Sequence, residues 1–181
     1  KDLAEKVAAC SHTPVLAVVL VGENEASRIY VRNKKKAAAE VGIRCEVFEF
    51  SGSIGENALL SSIQDLNDDP HVDGIIVQLP LPPQINPQKV LSHINPGKDV
   101  DGFSPYNVGL LAEREESAVV AATPKGILKL LESTGESLEG KHVVIIGRSN
   151  IVGRPTALLL LNHDCTVTVT HSKTVNLSDT V

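Results

Sequence analysis

The chain has 181 residues, of which 42% are hydrophobic and 22% charged, a composition typical of a globular protein with ample apolar material for a core. Aromatic residues make up only 3%, so Val, Ile, Leu and Ala must fill that core, which favours parallel strands beneath helices. The net charge of -5 and the scattered Lys and Arg residues indicate no nucleic-acid surface. No apolar run approaches the roughly 18 residues that cross a bilayer, so no membrane partner is expected.

Three cysteines, Cys10, Cys45 and Cys165, lie far apart and lack the C-x-x-C spacing of disulfide frameworks and zinc sites. They favour a reducing compartment, and we expect a cytoplasmic protein. An organelle stays open as an alternative, because the chain contains no Met even at position 1 and opens inside a predicted helix over residues 1–9. We therefore expect a fragment whose natural start, with any targeting peptide, lies outside this sequence.

The first half of the chain alternates apolar runs with amphipathic stretches. This pattern predicts strands over residues 16–21, 45–50 and 72–78, separated by helices over residues 26–41 and 56–67. The β-α-β-α-β order indicates a parallel sheet whose right-handed crossovers place helices over its faces, which makes a three-layer α/β domain. Ligands of such sheets bind at the carboxyl ends of the strands.

Proline and turn residues follow the third predicted strand. Asn86 caps a short helix that opens at a proline, and residues 98–102 form an exposed turn. Further on, Thr123 before Pro124 predicts the cap of another helix. We place a domain boundary near Ala121, with one domain over residues 1–121 and an incomplete one over residues 122–181.

The second domain is predicted to contain one β-α-β unit. Its elements are a strand over residues 142–146, a glycine-bearing turn, a helix over residues 155–161 and a strand over residues 165–170. The arrangement is typical of the beginning of a nucleotide-binding fold.

Lys34 is a candidate for proton chemistry. A helix advances 100° per residue, so Tyr30 and Lys34 are expected on the packed face, while Lys35 and Lys36 point to solvent. Desolvation in an apolar cleft disfavours the charged form of a lysine, which suits it to proton transfer, and Tyr30 offers a ring face and a hydroxyl. The alternative interpretation of Lys34 is a solvated charged face.

Gln78 and Asp101 are candidate ligand-binding residues. Gln78 ends the apolar third strand, where a sheet presents ligand groups, although an amide there can also satisfy loop backbone. Asp99 and Asp101 lie in an exposed loop with no third acidic or His partner nearby, so no metal is expected. A carboxylate that faces the donor edge of a heterocycle is one interpretation of Asp101, and a turn-forming Asp-Gly is the other.

The turn over residues 147–153 joins a buried strand to a helix, so its backbone N–H groups can hold a pyrophosphate. It departs from G-x-G-x-x-G, which leaves a plain β-α turn as the alternative. The next strand ends in Thr-His-Ser-Lys, where an NAD site would carry an acidic residue. Arg148 and Ser172, with Lys173 beside them, are suited to a 2′-phosphate, so we expect NADP rather than NAD.

Five motifs together resemble the bifunctional methylenetetrahydrofolate dehydrogenase/cyclohydrolase family, in the family's order, from about residue 16 to the end. They are YVRNK (30–34), VQLPL (77–81), KDVDGFSPYNVG (98–109), TPKG (123–126) and GRSNIVGRP (147–155). The chain departs from the family at Ala121-Ala122, where Pro-Cys is usual. The family's later Rossmann strands and final helix would be missing from this fragment.

The resemblance implies an α/β folate-binding catalytic domain followed by a Rossmann-like NAD(P)-binding domain, with folate in a cleft between them and a homodimer as the assembly. It also implies two reactions. Hydride passes from 5,10-methylenetetrahydrofolate to NADP, and water then opens the 5,10-methenyl cation to 10-formyltetrahydrofolate.

By the same resemblance, Lys34 handles the proton of the hydrolytic step and Tyr30 acts beside it as the second catalytic residue. The residues implied to contact folate are Tyr30, Lys34, Val77, Gln78, Leu79 and Asp101. The residues implied to contact NADP are Gly147, Arg148, Ser149 and Ser172. A non-catalytic folate- or nucleotide-binding module is the alternative function, and a lysine-dependent dehydrogenase of the shikimate type is disfavoured by the Gln78 and Asp101 motifs.

Overall fold

The structure is a computed structural model that describes residues 2–181. Its contacts divide the chain into two compact units, Lys1–Val100 and Asp101–Val181. Both units are α/β and both sheets are parallel, as the alternating sequence pattern predicts. No helix within residues 2–181 combines the length and the apolar character needed to cross a membrane.

The first unit is built on three parallel strands in the order β2-β1-β3. The strands are β1 (Val15–Val21), β2 (Arg44–Phe50) and β3 (Gly74–Val77). The helices are α1 (Asp2–Ala8), α2 (Glu25–Glu40), α3 (Glu56–Asp68) and α4 (Pro87–His93), and a 3-10 turn follows at Pro96–Lys98.

The central strand β1 is apolar along its whole length because it has a neighbour on each side and side chains above and below it. Val31 of α2 packs against Val18, Leu20 and Ile76 on one face. Leu59 of α3 is fully buried as well. This packing fixes the strand ends, and with them the residues that follow β3.

The second unit contains a two-stranded parallel sheet and α-helices. The strands are β4 (His142–Ile146) and β5 (Thr166–Thr170), and the helices are α5 (Pro105–Ala112), α6 (Ala122–Glu132) and α7 (Gly153–Asn162). Its core consists of Leu111, Leu128, Leu159, Leu160 and Cys165.

Two features of the second unit differ from the sequence prediction. Helix α5 was not expected, yet Ser104 caps it by accepting a hydrogen bond from Asn107 N, and a proline holds its first position. Thr123 was wrongly predicted as the cap of α6. The helix begins at Ala122, two residues earlier than a Thr123 cap implies, with Ala121 at the cap position and no side-chain cap. Pro124 is buried within the first turn, where its missing N–H costs nothing.

The segment over residues 101–121 packs with the second unit. Leu111 belongs to that unit's core, and its carbonyl accepts a hydrogen bond of 2.7 Å from Asn162 Nδ2. The contacts within the structure group residues 101–121 with residues 122–181. The sequence instead places the domain boundary near Ala121, and that boundary stays a prediction. Of the predicted first helix, Lys1 lies outside the described residues, and α1 covers the remainder apart from Ala9.

Asp73 ties the start of β1 to the chain before β3. Its carboxylate accepts hydrogen bonds of 2.8 Å from Val15 N and from His12 Nε2. Its backbone N–H donates to Val15 O at 3.0 Å. The bond from Val15 N is the main cause that holds the pKa of the Asp73 carboxyl below its usual value, with His12 adding to the effect.

We expect Asp73→Asn to lower the free energy of unfolding at about pH 7 and to have a progressively smaller effect as the pH falls below about 4. A carboxyl with a lowered folded pKa stabilises the fold above its unfolded pKa of about 3.9, and this contribution disappears as the pH falls through the folded value. The side chain is 38% exposed, so the loss should stay below about 1 kcal/mol. Urea unfolding across this pH range measures it, with the exposed Asp65→Asn as the control. A difference independent of pH would contradict the charge argument.

Candidate functional site

The carboxyl end of β3 delivers Gln78 to the edge of the first sheet. Gln78 N donates to Val19 O of β1 at 2.9 Å, so the pairing of the two strands continues to this residue. The Gln78 side chain is half-buried and leaves the sheet at the edge where parallel α/β folds bind ligands. Gln78 therefore follows β3 directly, and its predicted role as a ligand contact stays a prediction.

Lys34 and Gln78 are in direct contact. Lys34 Nζ donates to Gln78 Oε1 at 3.3 Å, and the lysine side chain is half-buried. On its other side, Gln78 Nε2 donates to Leu79 O at 2.8 Å. The amide therefore has a fixed orientation, with its oxygen toward the lysine and its nitrogen toward the loop backbone.

Ser27 completes this arrangement and was not singled out in the sequence. It is 2% exposed, and its hydroxyl lies 3.4 Å from Leu79 O, the same carbonyl that accepts from Gln78. The signal was its spacing, because Ser27 stands seven residues before Lys34 on the same helical face. Asn24 starts that helix by accepting a hydrogen bond from Ser27 N.

The prediction that Tyr30 lies on the packed face of α2 is wrong. The buried residues of the helix are Ser27, Val31 and Ala38, whereas Tyr30 is 61% exposed. The packed stripe is centred between Ser27 and Val31, and Tyr30 lies about 80° away from that centre at 100° per residue. Its ring stands at the margin of the stripe. It is thus open to a flat ligand without being part of the core.

The electrostatic environment of Lys34 includes a thiol. Burial raises the pKa of Cys45, and the positive charges of Lys35 and Lys34 oppose that rise only in part. The thiol is therefore neutral at physiological pH and forms no ion pair with Lys34. Lys35 and Lys36 are exposed, as predicted.

The other implied folate contacts differ in what they can offer. Val77 is 2% exposed, so its side chain is closed to a ligand. Leu79 is half-buried and its carbonyl already accepts two hydrogen bonds. Asp101 is half-buried and belongs to the second unit, so the geometry of the first unit does not test its predicted role.

The turn after β4 is built without side chains at two points. Gly147 has a φ of +123°, open space where a Cβ would stand, and an N–H that donates to Thr170 O at 2.8 Å. Gly153 opens α7, and a Cβ there would overlap Gly147 O. The helix can approach the strand this closely only because Gly153 has no side chain.

Ser149 has a structural role in this turn that the sequence did not predict. Its Oγ accepts hydrogen bonds from Val152 N at 3.1 Å and Gly153 N at 3.3 Å. Its carbonyl accepts from Arg154 N at 3.0 Å. The hydroxyl oxygen thus satisfies free N–H groups at the start of α7, and only its own hydrogen is available to donate to a bound anion.

The predicted 2′-phosphate residues lie at one edge of the second sheet. Ile146 pairs with Thr170 at the carboxyl ends of β4 and β5, so the residues that follow the two strands are neighbours. Arg148, Ser172 and Lys173 follow those strands and are exposed. Among the described residues, no carboxylate lies within 4.0 Å of the Arg148 or Lys173 charge.

These features define a class of protein, an α/β chain with polar side chains at the carboxyl edge of one parallel sheet and a nucleotide-type glycine turn in a second unit. A sequence model of "Tetrahydrofolate dehydrogenase/cyclohydrolase, catalytic domain" matches residues 1–101. A second model, "Tetrahydrofolate dehydrogenase/cyclohydrolase, NAD(P)-binding domain", matches residues 121–181. The chain belongs to the tetrahydrofolate dehydrogenase/cyclohydrolase family, and the resemblance inferred from the five motifs is confirmed.

Relatives with established names are similar over nearly the whole chain. The bifunctional protein FolD of Lacticaseibacillus casei is 51% identical over 179 residues, which cover 97% of this chain and 63% of that protein. The crystal structure of the FolD enzyme of Campylobacter jejuni has a TM-score of 0.93 at 48% identity, covering 98% of this chain and 64% of that one. The Trypanosoma brucei enzyme, solved with NADP and an inhibitor, has a TM-score of 0.91 at 40% identity, covering 99% and 62%. The chain thus spans less than two thirds of the length of these relatives.

We expect Gly153→Ala to destabilise the second unit by about 1–3 kcal/mol, because the new methyl group would overlap the backbone of Gly147 and Arg148. Gly126→Ala is the matched control. Gly126 lies exposed in α6 with nothing within 4 Å of its Cβ position, so alanine there should be neutral or stabilising by up to about 1 kcal/mol. Urea unfolding followed by circular dichroism compares the two, and equal stabilities would contradict the close approach.

Proposed function

We propose that the full-length protein containing this chain oxidises 5,10-methylenetetrahydrofolate to the 5,10-methenyl form with NADP and hydrolyses that product to 10-formyltetrahydrofolate. The observation that carries the proposal is the contact of Lys34 Nζ with Gln78 Oε1 at the carboxyl edge of the first sheet. Membership of the family supports the substrate and both reactions. The relatives named as bifunctional make a non-catalytic binding module the less supported alternative.

Lys34 is proposed as the group that moves the proton of the hydrolytic step. Water adds to the carbon of the methenyl cation and loses one proton. The remaining hydroxyl proton is lost as the formyl carbonyl forms, and one proton must reach the ring nitrogen whose bond to that carbon breaks. A positioned amine can perform both transfers. Both the ammonium and the amine form of lysine can donate N–H to Gln78 Oε1, so Gln78 holds the nitrogen in place throughout the cycle.

Tyr30 and the strand end are proposed to hold the folate. The exposed Tyr30 ring at the margin of the packed stripe of α2 offers a flat apolar surface and a hydroxyl close in sequence to Lys34. Gln78 offers its side-chain amide at the strand end, and its neighbours Val77 and Leu79 are proposed as further contacts. Asp101 is proposed to accept hydrogen bonds from the donor edge of the pterin.

The turn residues fit an NADP cofactor, which when bound supplies the nicotinamide that accepts hydride. The open space at Gly147 lets backbone N–H groups approach a diphosphate. Arg148 and Ser172 are proposed to bind the 2′-phosphate, with Lys173 beside them. Ser149 is proposed as a contact through its hydroxyl hydrogen and, through its cap, as the residue that holds the turn in shape.

We also propose a homodimer in the cytoplasm, in line with the family resemblance and the bacterial relatives. Light scattering on the full-length protein should give twice the mass of one chain at micromolar concentration. A single-chain mass at all concentrations would contradict the dimer.

We expect Lys34→Ala in the full-length protein to reduce cyclohydrolase turnover roughly 10²–10⁴-fold, the usual contribution of a positioned proton-transfer group. Oxidation of the methylene compound should fall much less, since hydride transfer needs no proton from Lys34. The decay of methenyl-folate absorbance measures the first activity, and methenyl formation from methylenetetrahydrofolate measures the second. Lys36→Ala, on the exposed face of α2, is the control. Unchanged hydrolysis in Lys34→Ala would rule out the role of Lys34.

We expect Arg148→Ala to raise the KM for NADP about tenfold or more while changing the KM for NAD less than about twofold, because only NADP carries the 2′-phosphate. Arg44→Ala, an exposed arginine of the first unit, serves as the control. Initial rates with each cofactor at saturating folate provide the measurement. An equal rise for both cofactors would mean that Arg148 contacts a part of the nucleotide that they share.

A further inference from the structure

Lys98 opens the KDVDG motif but has no place in the site around Lys34 and Gln78. Its Nζ donates to Leu66 O at 3.1 Å and to Asp69 O at 2.7 Å. Leu66 lies in the last turn of α3 and Asp69 is its C-terminal cap, so the ammonium closes the carboxyl end of that helix. A cation there satisfies free carbonyls and complements the helix dipole.

The segment that carries Lys98 is also tied through its backbone. Lys98 N donates to Asn95 O at 2.8 Å, and Asn95 N donates to Asn67 Oδ1 at 2.8 Å. Asn67 Nδ2 in turn donates to His93 O at 2.8 Å. These bonds join the 3-10 turn to the end of α3 at a point separate from the ammonium.

The residues after Lys98 run beside β3. Asp99 forms a parallel bridge with Ile75 and is 3% exposed. A Cβ at Gly74 would lie 2.6 Å from Val100 Cγ1, so the strand has no side chain where the segment crosses it. Because the bridge is parallel, the chain at Asp99 runs in the direction of β3, toward the edge that carries Gln78. Asp101 follows two residues later.

We infer that Lys98 is a positioning residue for folate binding, which acts by fixing the segment that leads into Asp101. The inference rests on the proposed function, since it gives Lys98 a role through the carboxylate proposed to hold the pterin. The ammonium links this segment to the end of α3 by two hydrogen bonds from a charged donor. Without the ammonium, Asp99 keeps its bridge to β3 and Val100 keeps its packing on that strand. The 3-10 turn before them, however, loses its two charge-assisted hydrogen bonds to the end of α3 and keeps only the weaker neutral ones.

The test is steady-state kinetics on the full-length protein. Lys98→Met keeps the aliphatic stem and removes the charge and both hydrogen bonds. We expect the KM for methylenetetrahydrofolate to rise about tenfold, while kcat and the KM for NADP change less than about twofold. Lys98→Arg, which can still donate to both carbonyls, should recover most of the loss. Lys36→Met, which removes an exposed lysine, is the control.

A double-variant cycle separates positioning from a merely structural role. Lys98 acts through Asp101 in this inference, so Lys98→Met should add less than about twofold to the folate KM in an Asp101→Ala background. A full tenfold addition in that background, or a parallel rise in the KM for NADP, would overturn the inference. If Lys98→Met does not fold, Lys98→Gln, which can still donate to one carbonyl, enters the same cycle.

The wild-type protein distinguishes the two proposals. If it turns over methylenetetrahydrofolate and Lys98→Met shows an unchanged KM, the role of Lys98 is wrong and the proposed function stands. If it neither turns over methylenetetrahydrofolate nor binds 5-formyltetrahydrofolate in calorimetry, the proposed function fails, and the role of Lys98 fails with it.

Discussion

The first unit depends on how one side-chain amide is held. Gln78 has an acceptor and a donor a fixed distance apart, and both are used, one by Lys34 of helix α2 and the other by the carbonyl of Leu79. A glutamate at this position would repel that carbonyl, and a leucine would leave the lysine without its acceptor. The amide therefore couples the position of a helix to the path of the loop after β3. The buried hydroxyl of Ser27 reinforces the loop from the helix side.

In the second unit, the turn between β4 and α7 is held mainly by backbone groups rather than by a side-chain amide. The start of α7 must come close to the end of β4 and still leave room for a ligand, and the two requirements fall on different glycines. Gly153 allows the close approach, and Gly147 leaves the open space. Ser149 then satisfies the N–H groups that the tight turn would leave unbonded. A residue type that is common in phosphate sites can thus be needed for the turn itself.

Most strands and helices could be predicted from the sequence, because they follow from the periodicity of its apolar residues. Runs of Val, Ile and Leu alternate with amphipathic stretches, so the strands and most helices were predicted to within about two residues, and Gln78 was placed at a strand end. The exposure of Tyr30 could not be predicted, because the period of a helix gives the relative angle of two residues but not which angle faces the sheet. Helix α5 was missed although Ser104 and Pro105 carry the same signal as Asn86 and Pro87. The contacts of Ser27, Ser149 and Lys98 depend on the tertiary path of carbonyl groups, which no local pattern contains.

The hydrogen bonds between Asp73 and Val15 have a consequence for strand alignment. In a strand with alternating polar and apolar residues, a slip of one position exposes the apolar face and is strongly disfavoured. The sequence of β1, VLAVVLV, has no such alternation, and nearly all of it is buried. Hydrophobicity alone would tolerate a shifted pairing with β3, which would move Gln78 by roughly 3.3 Å relative to its neighbours. Asp73 hydrogen-bonds to the first residue of β1 and thereby fixes the register of β1 and β3, which the sequence of β1 alone does not specify.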